Sequence, residues 1–284
     1  MKQKFRLQGS IRDIAFVLPS LLGVSIFVLI PFVDVIRRSF MNAAATTFNF
    51  PDNYRMIFRN TAFQLAMKNT LRFMGICIPI LLAFSLLIAV FLNSGIRGAK
   101  TLKSSYLIPM AIPVASAVLI WRLLFHANGF LSGLMHSMGR TGQDWMNTKY
   151  AFWVLVFSYI WKNLGYNIVL WMAGLTAIPD TLYEAARADG AGNLQCFIYI
   201  TMPSLLPTLF TTSVLAFLNS FKVFREAYLV AGDYPHESMY MLQHLFNNWF
   251  RELSIDKMSA GAVVTALMIM VLILSLQRAW DRED

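Results

Sequence analysis

The sequence predicts an all-α integral membrane protein with six transmembrane helices. Of its 284 residues, 57% are hydrophobic and only 14% are charged, and the mean hydropathy is +0.55. A soluble globular domain carries about 25% charged residues. A chain of this composition could not keep its apolar surface away from water, so part of that surface must face lipid.

The number of helices follows from the apolar stretches. A transmembrane helix needs about 20 predominantly apolar residues. Six stretches meet that requirement: 14–36, 69–92, 105–125, 151–175, 205–221 and 259–276. Several contain Pro or Gly, which packed membrane helices tolerate. We expect the first stretch to be retained rather than cleaved as a signal peptide, because its apolar run is longer than a signal core.

The net charge of +9 comes from basic residues that flank the apolar stretches. Such residues anchor helix ends at the bilayer, whereas nucleic-acid binding needs a basic soluble face. We therefore expect the lipid bilayer as a partner and no nucleic acid. The tail 1–13 holds four cations and the segment 93–104 holds three, which favours cytoplasmic N- and C-termini. Arg37 and Arg38 argue weakly against that orientation.

A polar stripe runs along the fourth stretch. Its members recur at steps of three and four, as on one helix face: Tyr159, Lys162, Asn163, Tyr166 and Asn167. A lysine exposed to lipid near the bilayer centre costs about 2.5–3.5 kcal/mol or more. We therefore predict that this stripe lines a solute path, together with Asn219 of the fifth stretch. The alternative is that Lys162 pairs with a carboxylate or carbonyl for packing alone.

The loop 178–203 predicts two short helices joined by a turn. Thr181 and Glu184 fit a capping box, and Gly190 can end the first helix in a left-handed conformation. Asp189 lies at the C-terminal end of that helix, where the helix dipole disfavours an anion. The rest of the loop follows the sequence preferences of a helix and a turn, so an unfavourable residue at this one position indicates that function requires it. The alternative is that Asp189 hydrogen-bonds the amides of the next turn.

A further helix is expected within 238–253, where apolar residues recur at helical spacing. We expect it to lie on the membrane surface, or else to cover the pore as a gate. The four histidines fall in predicted outer loops without metal-ligand spacing, so neither a metal site nor a catalytic residue is expected. An ion-coupled transporter would need carboxylates inside the membrane, and Asp34 is nearly the only one within the six stretches.

The loop also resembles a known motif, the EAA coupling loop of bacterial ABC importer permeases. The resemblance rests on these residues: Glu184, Ala185, Ala186, Asp189, Gly190 and Ala191, followed by Gln195, Phe197, Ile200 and Pro203. Two departures, Leu194 and Met202, keep an apolar side chain. The stretches 16–24, 52–54, 161–179 and 220–224 are similar to the carbohydrate-uptake branch, in particular to the first permease subunit of the maltose and glycerol-phosphate type.

This resemblance implies a type I ABC importer permease fold. Its five-helix permease core would span 67–278, after the basic tail 1–13 and the first helix 14–36, with a cytoplasmic tail at 279–284. The loop 178–203 would then couple the chain to a separate ATPase. The chain itself lacks the phosphate-binding G-x-x-x-x-G-K-[ST] loop. We therefore expect no cofactor on this chain, with ATP and magnesium bound by the ATPase.

The resemblance also implies the setting and the cargo. The expected partners are a second homologous permease, ABC ATPase subunits and an extracytoplasmic solute-binding protein, at the bacterial cytoplasmic membrane. The expected cargo is a sugar or oligosaccharide, carried by alternating access without catalysis by this chain. The alternatives are another polar solute, such as glycerol phosphate, a polyamine or an amino acid, and, more distantly, a secondary transporter.

Overall fold

The computed structural model describes residues 11–94 and 99–280. The predicted tails therefore lie mostly outside the described residues, as does Arg97, one of the three cations of the segment 93–104. Within these two ranges the regular structure is helical, apart from an isolated β-bridge between Met41 and Phe48. The chain divides into two compact units. The first contains the described residues up to Asn60 with Trp249–Met268, and the second contains Thr61–Asn248 with the residues from Ile269 onward.

The first unit begins with a long helical run. It comprises α1 (Ile11–Val24), a π-helical turn (Ser25–Leu29) and α2 (Ile30–Ser39), and a short helix α3 (Asp52–Arg59) follows. Asn53 fastens α3 to the end of α2, because its Nδ2 donates to the carbonyls of Ser39 at 3.0 Å and Met41 at 2.7 Å. A buried amide with both protons paired leaves no unsatisfied donor.

The second unit contains the next ten helices in full. They are α4 (Thr61–Asn93), α5 (Ala99–Ala111), α6 (Val114–Phe125), α7 (Phe130–Ser137), α8 (Ala151–Thr176), α9 (Asp180–Ala188), α10 (Asn193–Cys196), α11 (Met202–Ser204), α12 (Leu206–Ser220) and α13 (Phe224–Ala231). The last two helices are α14 (Leu242–Arg251) and α15 (Ile255–Trp280), and each has residues in both units.

Four helical segments of the described residues are long and apolar enough to cross a membrane. They are Phe16–Ser39, Thr61–Asn93, Val114–Ser137 and Ile255–Ser275, and a fifth follows if the bent pair Asn193–Ser204 and Leu206–Ala231 is one span. The predicted number of six is therefore not reproduced. The helix α8 has 26 residues, enough to cross a bilayer at 1.5 Å per residue, but its polar stripe keeps its hydropathy below that of these segments.

The third predicted span, 105–125, is wrong as a single helix. The helix α5 ends at Ala111 and α6 begins at Val114, with Pro113 in an extended conformation between them. A proline lacks the backbone N–H that would continue the helix, and it disfavours helical geometry in the residue before it. Two shorter helices therefore replace the continuous helix that the apolar run predicted.

The core of the second unit lies where α4, α8 and α12 meet. Phe73, Leu81, Phe152 and Leu155 are among its buried side chains. A second buried cluster includes Trp171, whose indole Nε1 donates to Ser85 Oγ at 3.0 Å. The helix α5 packs against α8 at Gly165, where a Cβ would overlap the backbone carbonyl of Tyr106. Glycine permits this close approach because it has no side chain.

The segment 238–253 differs from its prediction. The helix begins at Leu242, after a short 3₁₀ turn (Glu237–Met239). Met239 and Leu242 are each only 1% exposed, although both belong to the face that was expected to lie on the membrane. The prediction of a surface-lying helix is wrong, because Met239 and Leu242 pack inside the protein; only the end of the segment is open, with Leu253 74% exposed.

Candidate functional site

The second unit contains a cavity of about 440 Å³ that combines polar, charged and apolar walls. Its walls come from the polar stripe of α8, the segment from α12 into α13, and two residues near the break between α5 and α6. The lining residues are Met110, Val114, Tyr159, Lys162, Asn163, Tyr166, Leu215, Asn219, Lys222, Val223, Arg225 and Glu226.

The structure brings together five of the six residues predicted for the solute path. Tyr159, Lys162, Asn163 and Tyr166 line the cavity from α8, and Asn219 lines it from α12. Helical spacing explains the first four, because residues three and four apart share a face. The sixth, Asn167, is buried away from the cavity, and its Nδ2 donates to the carbonyl of Asn163 at 2.9 Å.

An ion pair crosses the cavity wall. Nζ of Lys162 donates to Oε1 of Glu226 at 2.7 Å, and the exposed fractions of the two side chains are 22% and 9%. The other carboxylate oxygen, Oε2, is buried and has no hydrogen-bond partner among the described residues. Lys162 therefore has the carboxylate partner that the packing alternative required, and the same pair lines the cavity. One acceptor of Glu226 remains unused.

Glu226 is the residue that sequence reasoning missed. The fifth apolar stretch was ended at 221, whereas the helix continues through a 3₁₀ turn (Phe221–Val223) into α13. The count of carboxylates within the six stretches therefore omitted Glu226. The signal that could have revealed it is its spacing: Asn219, Lys222 and Glu226 lie three and four residues apart, as on one helical face.

Two further cations line the cavity from the same segment. Nζ of Lys222 donates to Oδ1 of Asn219 at 2.7 Å, which is a bond to a neutral amide. Arg225 is exposed, and within the part of the chain that the structure describes it makes no hydrogen bond or ion pair. Within the described residues, neither side chain is therefore paired with a carboxylate.

Three tryptophans of the membrane helices lie outside the cavity. Trp121 packs edge-on against Trp161 with ring centroids 5.0 Å apart, and Trp171 is buried against Ser85. None of the three tryptophans lines the cavity. The aromatic rings that do line it belong to Tyr159 and Tyr166, and the Tyr159 hydroxyl already donates to the carbonyl of Ala216 at 2.6 Å.

The predicted loop 178–203 forms a helix that is closed by a left-handed glycine. Gly190 has φ +87°, and its N–H donates to the carbonyl of Arg187 at 3.0 Å. The N–H of Ala191 donates to the carbonyl of Ala186 at 2.9 Å. These two bonds make a Schellman motif, which satisfies the last carbonyls of α9. The predicted role of Gly190 as a helix stop is confirmed.

The predicted capping box is wrong. The helix α9 begins at Asp180 after Pro179, so Thr181 lies inside the helix and no side chain caps its start. Pro179 is the N-cap and has no side-chain acceptor, and the helix begins two residues before the start that a Thr181 cap would set. In the described chain, the carboxylates of Glu184 and Asp189 accept no hydrogen bond, and both residues are exposed. The hydrogen-bonded alternative for Asp189 is therefore also wrong.

The loop is anchored on one side and exposed on the other. The hydroxyls of Tyr183 and Thr201 lie 2.9 Å apart, and Cys196 and Ile178 are buried. No residue of α9 is buried, and Leu194 and Tyr199 are 70% and 76% exposed. Exposed apolar side chains on a loop that is anchored by buried contacts are typical of a protein-binding site.

The chain matches a family of known proteins over most of its length. The family described as binding-protein-dependent transport system inner membrane component matches residues 75–282, which include both the cavity and the loop.

Named relatives cover still more of the chain. The arabinooligosaccharides transport system permease protein AraP of Bacillus subtilis is 29% identical over 270 residues, which cover 92% of this chain and 85% of AraP. The sn-glycerol-3-phosphate transport system permease protein UgpA of Salmonella choleraesuis is 29% identical over 232 residues, which cover 79% of this chain and 77% of UgpA.

The fold is also similar to solved structures. One is a chain of a bacterial ABC transporter involved in the import of the acidic polysaccharide alginate, with a TM-score of 0.82 and 21% sequence identity. The match covers 95% of this chain and 98% of that one. A second structure, of the alginate transporter in complex with an alginate pentasaccharide-bound periplasmic protein, gives a TM-score of 0.81 at 21% identity, over 95% of this chain and 96% of that one. At this identity the similarity concerns the fold.

Proposed function

Because this chain belongs to the family of binding-protein-dependent transport system inner membrane components, we propose that it is a permease subunit of an ATP-driven importer for a sugar or oligosaccharide. The observation that carries the proposal is the loop 178–203: an exposed helical elbow in a chain with several apolar helices. The names of relatives such as AraP support a carbohydrate as the cargo.

The energy for transport comes from a separate ATPase. This chain has no phosphate-binding glycine loop of the kind that ATPases use. ATP and magnesium therefore bind to the ATPase subunits, and this chain performs no catalysis. A second, homologous permease completes the pathway, and an extracytoplasmic binding protein delivers the solute. The periplasmic protein bound in the alginate transporter structure supports the last of these partners.

The loop couples the permease to that ATPase. The small side chains of Ala185 and Ala186 allow close approach of the partner's backbone. Glu184 and Asp189 present unpaired carboxylates that can bind cations across the interface. Gly190 sets the angle of the elbow through its left-handed conformation, and Ala191 closes the turn. Movement of the ATPases on binding ATP then tilts the helices joined to the elbow.

The solute passes through the cavity beside α8. Tyr166 and Asn163 offer hydrogen-bonding groups to a polyhydroxylated solute, and Asn219 holds Lys222 in position. With both termini in the cytoplasm, the loop also lies in the cytoplasm, within reach of the ATPase. Alternating access then exposes the cavity first to the binding protein and later to the cytoplasm. The relative UgpA supports glycerol phosphate as the alternative cargo.

Reconstitution tests this assignment. The purified importer, in proteoliposomes with its ATPase, partner permease and binding protein, should accumulate labelled sugar only when ATP is supplied. Replacing Glu184 with Gln and Gly190 with Val together should abolish uptake while leaving the chain inserted in the membrane. Uptake driven by a proton or sodium gradient without the ATPase would contradict the proposal and favour a secondary transporter. A cysteine at Gln195 that is labelled from outside intact cells would also contradict it.

A further inference from the structure

The charge of the cavity carries a more specific inference about the solute. Lys162, Lys222 and Arg225 contribute three positive charges, and Glu226 contributes one negative charge, so the lining has a formal charge of +2. Glu226 neutralises Lys162 through the ion pair at 2.7 Å. The two remaining positive charges therefore belong to Lys222 and Arg225.

Neither of these cations is neutralised by the described part of the chain. Lys222 bonds the neutral amide oxygen of Asn219, and Arg225 has no bonded partner there. They lie three residues apart on the segment that bounds the cavity, so their charges act on the same space. In a cleft with low-dielectric walls, uncompensated charges of one sign attract the opposite sign strongly.

The cavity also contains acceptors and donors that suit hydroxyl groups. The buried Oε2 of Glu226 has no partner in the described structure, and a carboxylate oxygen can only accept a hydrogen bond. The hydroxyl of Tyr166 makes no hydrogen bond within the described residues either. A solute that supplied only negative charge would leave Glu226 unsatisfied, whereas a hydroxyl group would pair with it.

We infer that this cavity selects a polyhydroxylated solute that also carries a negative charge, such as an acidic sugar. Lys222 and Arg225 hold the acid group, and Glu226 accepts a hydrogen bond from a hydroxyl group. The inference rests on the proposed function, because it assumes that the solute passes through this cavity. It narrows the class of cargo from carbohydrates in general to acidic ones.

Charged thiol reagents measure the cavity's preference directly. The assembled importer in lipid nanodiscs carries Val114→Cys, with Cys77 and Cys196 replaced by Ala. The thiol then reacts with anionic sulfonatoethyl or cationic trimethylammonioethyl methanethiosulfonate. The ratio of the two rates, divided by the ratio for free 2-mercaptoethanol, should favour the anionic reagent by about tenfold. A normalised ratio at or below one would overturn the inference.

Substitutions that remove a positive or a negative charge from the cavity test whether the named residues cause this preference. Arg225→Gln and Lys222→Gln should each lower the ratio by about threefold, and Arg225→Lys should preserve it. Glu226→Gln should raise the ratio, because it releases the charge of Lys162. Lys149→Gln removes an exposed cation that does not line the cavity, and it should leave the ratio unchanged. If neither Arg225→Gln nor Lys222→Gln changes the rate ratio, these two residues do not cause the preference and the assignment is wrong.

A pair of solutes that differ in charge completes the test. Trigalacturonate should slow the modification of the introduced thiol, and its methyl ester, with the same ring hydroxyls, should not. Equal protection by both solutes, or by neither, contradicts the inference. If ATP drives uptake of neutral sugars as well as acidic ones, the proposed function stands and the inference fails. If ATP drives no uptake while the reagent ratio holds, the proposed function fails instead.

Discussion

Lys162 on α8 and Glu226 on α13 form an ion pair at 2.7 Å across 64 residues of sequence. Replacing Lys162 with Met leaves a buried carboxylate without its cation, which costs about 3 kcal/mol in the free energy of unfolding. We expect this variant to have a lower Tm in detergent and to lose sugar uptake, while the ATPase still binds.

The matched control is the double variant Lys162→Met/Glu226→Gln, which removes both charges. Its Tm should recover much of the loss, because no buried ion remains unpaired, and the two substitutions should couple by about 1–3 kcal/mol. Additive effects in this double-mutant cycle would show that the pair contributes nothing to stability. Unchanged uptake in the single variant would remove Lys162 from the solute path.

Gly165 allows α5 to contact α8, so Gly165→Ala should destabilise the protein by about 1–3 kcal/mol through overpacking against the Tyr106 carbonyl. The control is Gly75→Ala on α4, where an added Cβ meets nothing within 4 Å. That variant should be about 0.5–1 kcal/mol more stable than the parent, since alanine favours a helix over glycine. Thermal unfolding should give a Tm below that of the parent for Gly165→Ala and above it for Gly75→Ala. Equal Tm values for the two variants would contradict the close contact between α5 and α8 at Gly165.

Comparing substitutions at two glycines of the loop distinguishes the effect of backbone strain from the effect of replacing any glycine there. Gly190 has φ +87°, whereas Gly192 has φ −77°, and a Cβ there would make only an ordinary contact of 3.8 Å with Oε1 of Gln195. A residue with a side chain pays about 1–2 kcal/mol in the left-handed region. Gly190→Ala should therefore reduce uptake per ATP hydrolysed in proteoliposomes, and Gly192→Ala should leave that ratio unchanged. Equal effects of the two variants would argue against an elbow whose angle matters.

His244 makes stability depend on pH. The side chain is fully buried, and its Nδ1 accepts from the Met241 N–H at 3.2 Å, so the proton of the neutral ring lies on Nε2. Burial lowers the pKa of His244 to about 4, against a smaller opposing effect of Asp233. Because the unfolded histidine binds its proton near pH 6.5, the stabilisation is complete above that pH. It is lost as the pH falls toward about 4, by up to about 3 kcal/mol.

Thermal unfolding between pH 7 and pH 4.5 measures this loss. The Tm of the parent should fall over that interval, and His244→Phe should reduce the fall, since phenylalanine keeps an aromatic ring next to Phe224 and does not titrate. The exposed His136 provides the control, because its replacement by Gln should leave the pH dependence as in the parent. A parent and a His244→Phe variant with the same pH profile would contradict the role of His244.

Periodicity and motif residues were sufficient for several features of the molecule. The spacing from Tyr159 to Tyr166 placed four side chains on one face of α8, and the structure puts all four at one cavity. Gly190 predicted the helix stop because few residues other than glycine adopt its backbone conformation readily. The resemblance drawn from Glu184 to Ala191 is confirmed by the match to the permease family.

Other features were not predictable from apolar composition alone, and the reasons differ. Pro113 divides an apolar run that hydropathy alone joins into one span. Glu226 was missed because the apolar composition ends at 221 while the helical geometry continues to Ala231. Tertiary packing also placed the face that contains Met239 and Leu242 inside the protein, whereas an amphipathic pattern suits a lipid surface equally well.

The length of α4 has a consequence for the lipid. Its 33 residues span about 50 Å, against a hydrocarbon core of about 30 Å, so some turns stand outside the hydrocarbon. The N-terminal turns bear the exposed cations Lys68 and Arg72, and between these Asn69 holds the carbonyls of Glu237 and Tyr240. In a thicker bilayer these cations would lie at the depth of the acyl chains, which is unfavourable for a charged side chain, so the N-terminal turns of α4 would tend to shift. Transport should therefore decline in vesicles made from longer-chain lipids.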